Sequence, residues 1–133
     1  MVAPHLTQEL IDEGARLIEK LDQSGEPPDA AFWFYLPESG TWRLFLAERK
    51  VAVAGSREVY KRMHKTLLSL RREVPHLSLM NVAVAEPDAP LVVLLSSAFP
   101  GRRKIKDARF MRTVINGALF DDAYVYRLKR PAA

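Results

Sequence analysis

The dipeptide Asn116-Gly117 restricts the fold of this chain more than any other segment, because it lies between two strand-like stretches, 107–115 and 118–128. Asn-Gly is the strongest two-residue hairpin signal, since both central positions of the favoured turn need a positive φ. A two-residue turn also fixes which residues of the two strands face each other. The predicted facing pairs are Ile115 with Ala118, Val114 with Leu119, Arg112 with Asp121, and Arg109 with Tyr124. We therefore expect an antiparallel strand pair, supported by one opposite-charge pair and one cation–aromatic pair.

A second hairpin is predicted around the loop Pro37-Glu38-Ser39-Gly40, which joins the aromatic stretch 30–37 to the strand-like stretch 41–49. Proline suits the first position of such a loop because its φ is already restricted, and glycine suits the last because it adopts a left-handed conformation at little cost. The predicted facing pairs are Tyr35 with Trp42, Trp33 with Leu44, Phe34 with Arg43, and Phe32 with Phe45. Because successive strand residues point to opposite faces, both faces of this hairpin are apolar.

The rest of the chain contains helical patterns and one further strand. Apolar residues recur at helical spacing over 7–23 and 56–73, whereas 77–85 alternates as a strand does. The stretch 89–98 is predicted as a short helix, although its run of aliphatic residues would also suit a buried strand. The predicted N-caps are Thr7, Ser56 and Asp88. Basic residues lie opposite the apolar stripe of the second helix, a pattern typical of a solvated face, at Arg57, Lys61, Lys65 and Arg72.

These patterns predict a single α+β domain over residues 1–133. The expected element order is α-β-β-α-β-α-β-β, and the two tight hairpins favour a mostly antiparallel sheet of about five strands. Such a sheet is about 24 Å wide, and a helix is about 10 Å across, so three helices cover one face well and two faces poorly. We therefore expect helices mainly on one face, and an apolar face of the aromatic hairpin that is left for a partner.

Composition and charge exclude several classes of protein. The chain has no cysteine, so disulfides, thiolate metal sites and cysteine nucleophiles are excluded. Its longest apolar run, Leu91–Leu95, is far shorter than the roughly 20 residues of a membrane-spanning helix. The first residues also lack the pattern of a signal peptide, so we expect a cytoplasmic protein with no membrane partner. The net charge of +4 permits nucleic acid as a partner without requiring it.

No arrangement of catalytic, cofactor-binding or metal-ligating residues is recognisable in the sequence. The six glycines are separate from one another, so there is no glycine-rich phosphate loop. The histidines, His5, His64 and His76, fall in different parts of the chain, which argues against a zinc site. Asp121 and Asp122 are adjacent, but successive strand side chains point to opposite faces, so they are not expected to hold one ion. We therefore expect no catalytic residue, no metal site and no cofactor.

Glu38 and the sequence Glu48-Arg49-Lys50 together resemble the acidic and acidic-x-Lys pattern of a large superfamily of metal-dependent nucleases. Patterns this short often arise by chance. The strand between Glu38 and Glu48 corresponds to about 30 Å at the rise of an extended chain, which prevents the two carboxylates from binding one ion. This pattern therefore favours two solvated strand ends over a nuclease site.

Two sets of residues remain as candidates for binding. The aromatic hairpin could contact a partner or stack on bases, although core packing is the more common use of such rings. Its interaction candidates are Trp33, Tyr35, Trp42, Arg43 and Phe45. The basic stretch 102–109 could hold phosphates, although such stretches are more often only solvated. Its anion-binding candidates are Arg102, Arg103, Lys104, Lys106 and Arg109.

The segment 34–43, Phe-Tyr-Leu-Pro-Glu-Ser-Gly-Thr-Trp-Arg, resembles a group of small bacterial α+β proteins to which no activity is assigned. The segments 114–117 (Val-Ile-Asn-Gly) and 122–128 (Asp-Ala-Tyr-Val-Tyr-Arg-Leu) resemble the C-terminal hairpin of the same group. The resemblance spans most of the chain and implies a bacterial accessory protein, of the kind sometimes encoded in mobile or defence-related regions. It implies no functional residue.

Three hypotheses about function follow. The first is a non-enzymatic module that binds another protein, or a second copy of itself as a homodimer, through its sheet. The second is an accessory protein that binds nucleic acid through the basic stretch 102–109. The third is a small metal-dependent hydrolase or nuclease.

Overall fold

A computed structural model describes residues 6–97, 108–115 and 118–128 of the chain. The described helices and strands, in chain order, are α1 (Gln8–Gln23), β1 (Ala30–Leu36), β2 (Thr41–Ala47), α2 (Lys50–Ala54), α3 (Ser56–Ser69), β3 (Val82–Ala85), α4 (Pro90–Ser97), β4 (Ala108–Ile115) and β5 (Ala118–Leu128). A short 3₁₀ turn, Leu79–Asn81, precedes β3. Within these described ranges, no helix combines the length and the apolar character that crossing a membrane requires.

The strands form one mixed sheet in the order β3-β2-β1-β5-β4. β1 pairs antiparallel with both β2 and β5, and β5 pairs antiparallel with β4. β3 lies parallel to β2, because the chain passes through α3 between these strands and such a crossover returns it in the same direction. The predicted α+β class is confirmed. The parallel pairing of β2 and β3 makes the sheet mixed, and this pairing was not predicted.

Both hairpins have the predicted register. In the first hairpin the facing pairs include Tyr35 with Trp42, Trp33 with Leu44, Phe34 with Arg43, and Phe32 with Phe45. In the second hairpin they include Ile115 with Ala118, Val114 with Leu119, and Arg109 with Tyr124. Asn116 and Gly117 lie outside the described residues, as do the side chains of Arg112 and Asp121.

The helix boundaries agree with prediction at α1 and differ at α3. The N–H of Leu10 donates a 3.2 Å hydrogen bond to Oγ1 of Thr7, which is the predicted N-cap. α3 ends at Ser69 rather than at residue 73, and its first residue, Ser56, does not cap it. The N-cap is Gly55, whose φ of 88° is rarely adopted by residues with a side chain. This conformation separates α3 from α2, a short helix that the sequence pattern did not predict.

The predicted strand over 77–85 is shortened to the four residues of β3. Ser78 explains the difference, because its N–H and its hydroxyl donate to Oδ1 of Asn81 at 3.0 and 3.1 Å. Such local side-chain bonds offer the backbone an alternative to strand pairing. The ambiguous stretch 89–98 is helical from Pro90 to Ser97, and Ala98 lies outside the described residues.

Helices cover both faces of the sheet. On one face, α1 and α3 enclose a core that includes Leu17, Trp33 and Met63, each at most 2% exposed. On the opposite face, α4 packs its apolar side chains over Phe32, which is fully buried. The second face, which was expected to be left for a partner, is therefore covered in part by α4.

Candidate functional site

The aromatic interaction candidates lie mostly inside the protein. Trp33 is fully buried and Trp42 is 8% exposed, both in the core that α1 and α3 enclose. Tyr35 and Phe45 are half-buried. The ring centroid of Tyr35 lies 5.4 Å from that of Trp42, and Phe45 stacks on Phe32 at the same centroid distance. Because these rings pack against each other, their placement supports core packing over an open docking surface.

Arg43, the charged candidate of the same hairpin, is bound to the edge of the sheet. Its Nη2 donates a 2.8 Å hydrogen bond to the carbonyl oxygen of Val82 in β3. Two residues later in β3, the N–H of Val84 donates to the hydroxyl of Tyr60 at 3.0 Å. Side chains from β2 and α3 therefore occupy two backbone groups of β3.

The anion-binding candidates of the basic stretch fall into two groups. Arg102, Arg103, Lys104 and Lys106 lie outside the described residues. Arg109 is described, and its Nε and Nη2 donate to the two carboxylate oxygens of Asp122 at 2.7 and 2.6 Å. These hydrogen bonds raise the pKa of Arg109, and its guanidinium also lies 5.5 Å from the centroid of the Trp42 ring. The charge of Arg109 is therefore already neutralised within the chain.

The histidines and aspartates do not assemble a metal centre in the part of the chain that the structure describes. Nδ1 of His76 contacts Oε2 of Glu13 at 2.7 Å, whereas His64 is exposed on α3. Asp122 is paired with Arg109, and His5 lies outside the described residues. Within the described ranges, no three His, Asp or Glu side chains are placed to hold one ion.

A cavity of about 320 Å³ lies between the loop after α1 and the residues after β2; we term it the Glu48 cavity. Its lining residues are Gly25, Glu26, Pro27, Asp29, Glu48, Arg49 and Lys50. The N–H of Glu48 donates to the carbonyl of Ala85 at 2.9 Å, and the N–H of Asp29 donates to the carbonyl of Ala47 at 2.7 Å. These backbone bonds fix Asp29 and Glu48 at the same end of the sheet.

One carboxyl oxygen of Glu48 is buried without a hydrogen-bond partner among the described residues. Its residue is only 5% exposed, and Oε1 has no hydrogen-bond partner. Burial raises the pKa of Glu48 to about 7, because a charged carboxylate is disfavoured where water is excluded. The negative charges of Glu26 and Asp29 act in the same direction, and nearby cations oppose it.

The other two carboxyl groups of the Glu48 cavity have cationic partners. Oε1 of Glu26 accepts hydrogen bonds from Nζ of Lys50 at 2.8 Å and from Nη1 of Arg62 at 2.5 Å. These partners lower the pKa of Glu26. Oδ2 of Asp29 accepts from Nε of Arg49 at 3.0 Å. Glu48 therefore differs from both neighbouring carboxylates, because it forms no salt bridge of this kind within the described ranges.

The prediction that Glu48 is a solvated strand end is wrong, because only 5% of this residue is exposed. Glu38 is exposed on the turn of the first hairpin, and the carboxyl group nearest in register to Glu48 is that of Asp29. The hairpin register could have indicated this, since one further step beyond the pair Ala30–Ala47 sets Asp29 against Glu48. The burial of Glu48 has no comparable signal in the sequence.

A second concavity, of about 810 Å³, runs along α3; we term it the α3 groove. Its lining residues are Arg57, Glu58, Tyr60, Lys61, Arg62, His64, Lys65 and Leu79. Four of them are Arg or Lys, and Glu58 is the single carboxylate of this lining. Arg57, Lys61 and Lys65 recur every four residues and therefore share one side of the helix. These three were predicted to be a solvated face, and the groove beside them was not predicted.

Arg62 connects the two concavities. It lines the α3 groove, while its Nη1 donates to Glu26, which lines the Glu48 cavity. The two sites therefore share one ion pair.

No protein-family model, no curated protein and no solved structure matches this chain.

Proposed function

We propose that this protein binds nucleic acid and that the α3 groove holds phosphates of the nucleic-acid backbone. The observation that carries the proposal is the lining of this groove, in which Arg57, Lys61, Lys65 and His64 accompany the single carboxylate of Glu58, while the fourth basic side chain, Arg62, is paired with Glu26. Clustered cations of this kind provide a sequence-independent attraction to phosphates, because their binding releases condensed counterions.

The spacing of the basic residues supports a repeating anionic ligand. Arg57, Lys61 and Lys65 are four residues apart, and four residues of α-helix rise about 6 Å. Phosphates along one strand of duplex DNA are about 3.4 Å apart along the axis. Because the strand winds around that axis, its neighbouring phosphates are farther apart than this axial rise, and a strand lying along α3 would bring regularly spaced phosphates to these three cations. Tyr60 also lines the groove, where its ring could contact a base.

The other two hypotheses, and nucleic-acid binding through the stretch 102–109, have less support. A protein-binding or self-associating sheet would need exposed rings on the aromatic hairpin, yet Trp33 and Trp42 are buried. Binding through the stretch 102–109 would draw on Arg109, whose charge Asp122 already neutralises. A metal-dependent hydrolase would need free carboxylates near Glu48, but Glu26 and Asp29 are paired with cations.

Salt-dependent binding tests the proposal. We expect labelled single-stranded and duplex oligonucleotides to bind the wild-type protein, as measured by fluorescence anisotropy between about 50 and 200 mM salt. Three phosphate contacts predict a slope of about −2 to −3 for the logarithm of the affinity against that of the salt concentration. The double variant Lys61→Glu/Lys65→Glu should weaken binding at least about tenfold and reduce the slope by about 2.

The matched control is Arg71→Glu/Arg72→Glu. These two residues are exposed just after α3 and do not line the groove, so the control changes the net charge by the same amount. We expect it to bind almost as the wild type does. Equal losses of affinity in the two double variants would show that net charge alone, and not the α3 groove, accounts for binding. The absence of binding by the wild-type protein at low salt would exclude the proposed function.

A further inference from the structure

We propose that the Glu48 cavity binds a small organic ammonium cation, whose charge pairs with the carboxylate of Glu48. The proposal does not rest on nucleic-acid binding: the two sites share the Arg62–Glu26 ion pair, but Lys61 and Lys65 do not line this cavity. It concerns the carboxyl group of Glu48, a residue that does not line the α3 groove.

The first support is an unsatisfied polar group at the wall of a cavity. Glu48 is 95% buried, its Oε1 has no hydrogen-bond partner, and Glu48 is one of the residues that line the cavity. Buried polar atoms without partners are rare in folded proteins, since each one loses its bonds to water without replacement. The volume of about 320 Å³ is roughly ten times the share of one liquid water molecule, so a small organic molecule fits.

The second support is the charge of the neighbouring groups. Glu26 is already paired with Lys50 and Arg62, and Asp29 is already paired with Arg49. The cavity therefore offers one carboxylate that forms no salt bridge with a cation in the described part of the chain, which matches a ligand with one positive charge. A divalent ion such as Ca²⁺ needs about six or more oxygen ligands, and here the oxygens of Glu26 and Asp29 are engaged by side chains. An ammonium needs only a charge-assisted hydrogen bond to Glu48 and room for its carbon chain.

Binding should depend on pH. The charged groups that face the Glu48 carboxyl are Glu26, Asp29, Arg49, Lys50 and Arg62. In the empty cavity, burial raises the pKa of Glu48 to about 7, so the carboxylate that the ligand needs is scarce at pH 6 and abundant at pH 8. An alkylammonium, whose pKa lies near 10, stays charged over this range. We therefore expect the affinity to rise about tenfold between these two values of pH.

The test is a titration of isotope-labelled protein with ethylammonium chloride, with sodium chloride at equal ionic strength as the reference. At pH 8 we expect saturable shifts of backbone amide resonances at residues 25–29 and 47–50, and about tenfold weaker binding at pH 6. Glu48→Gln keeps the shape of the side chain but removes its charge, and should abolish these shifts. Glu38→Gln, which removes an exposed carboxyl group on the hairpin turn, should leave them unchanged.

Three results would overturn the proposal. One is saturable binding of equal strength by the Glu48→Gln variant, and another is the absence of saturable shifts at either pH. The third is saturation of the same resonances by Mg²⁺ while ethylammonium has no effect. Because Lys61→Glu/Lys65→Glu should bind ethylammonium normally, loss of nucleic-acid binding and loss of amine binding are distinguishable.

Discussion

The indole Nε1 of Trp33 donates a 2.8 Å hydrogen bond to the hydroxyl of Tyr126, and both side chains are buried. The same hydroxyl donates to the carbonyl oxygen of Ile11 at 2.6 Å. One oxygen atom therefore joins β1, β5 and α1. It also lets the large ring of Trp33 lie in the core with its polar N–H satisfied.

Removal of this hydroxyl should destabilise the fold. Tyr126→Phe leaves the Trp33 N–H and the Ile11 carbonyl without their shared partner, so we expect the free energy of unfolding to fall by about 1–3 kcal/mol. Urea denaturation followed by tryptophan fluorescence measures this change. Tyr35→Phe is the control, because Tyr35 is half-buried at the hairpin, and it should cost less than about 0.5 kcal/mol. Equal costs in the two variants would contradict the role of the Tyr126 hydroxyl.

Gly14 should resist replacement by alanine, although alanine is the better helix former by about 1 kcal/mol. A Cβ atom at Gly14 would overlap the hydroxyl oxygen of Tyr126 and lie 3.1 Å from Nε1 of Trp33. We therefore expect Gly14→Ala to lower the free energy of unfolding. The cost should be smaller when Tyr126 is already phenylalanine, because the overlapping oxygen is then absent. Additive costs in this double-mutant cycle would show that the close approach is unimportant.

Glu48→Gln should stabilise the protein at alkaline pH. The folded state raises the pKa of Glu48 from 4.5 to about 7, so the folded protein holds this proton more tightly than the unfolded chain does. Wild-type stability therefore falls as the pH rises from 4.5 to 7, whereas a neutral glutamine contributes no such loss. We expect the two proteins to have similar stability near pH 4.5 and the variant to be more stable by about 3 kcal/mol at pH 8. Thermal denaturation at several values of pH measures the difference, and a constant offset would contradict it.

His76 should stabilise the fold in acid more than in alkali. Its hydrogen bond to Glu13, together with the negative charge of Glu13 and Glu9, raises the pKa of His76 above 6.5. The resulting stabilisation is fully present below pH 6.5 and is lost as the pH rises through the raised pKa. His76→Asn should therefore lower the midpoint of thermal unfolding more at pH 5.5 than at pH 9. His64→Asn, at an exposed position of α3, is the control and should show no such trend.

Both hairpins could be predicted from the sequence because local geometry determines them. Turn length fixes the register of two connected strands, and the residues at 37–40 and 116–117 suit short turns. Every described pair of the first hairpin follows from that rule. The packing of α4 over Phe32 could not be predicted in the same way, because the choice of sheet face depends on contacts between distant parts of the chain.

The candidate sites were less predictable for a related reason. The basic face of α3 was visible as a helical pattern, but its groove depends on Leu79, which follows α3 by ten residues. Glu48 is buried by the folded structure, and no local pattern around it distinguishes a buried carboxyl group from a solvated one. Side-chain ionisation depends on that burial, so it too requires the folded structure.

The two side-chain bonds to β3 also bear on aggregation. β3 is an edge strand, and an edge with free backbone groups can add a strand from another molecule. Ala85 bonds toward β2, so the backbone groups of Val82 and Val84 point the other way, where Arg43 and Tyr60 occupy one group each. A strand from a second molecule would have to displace both side chains before it could pair. This edge is thereby protected from open-ended sheet growth.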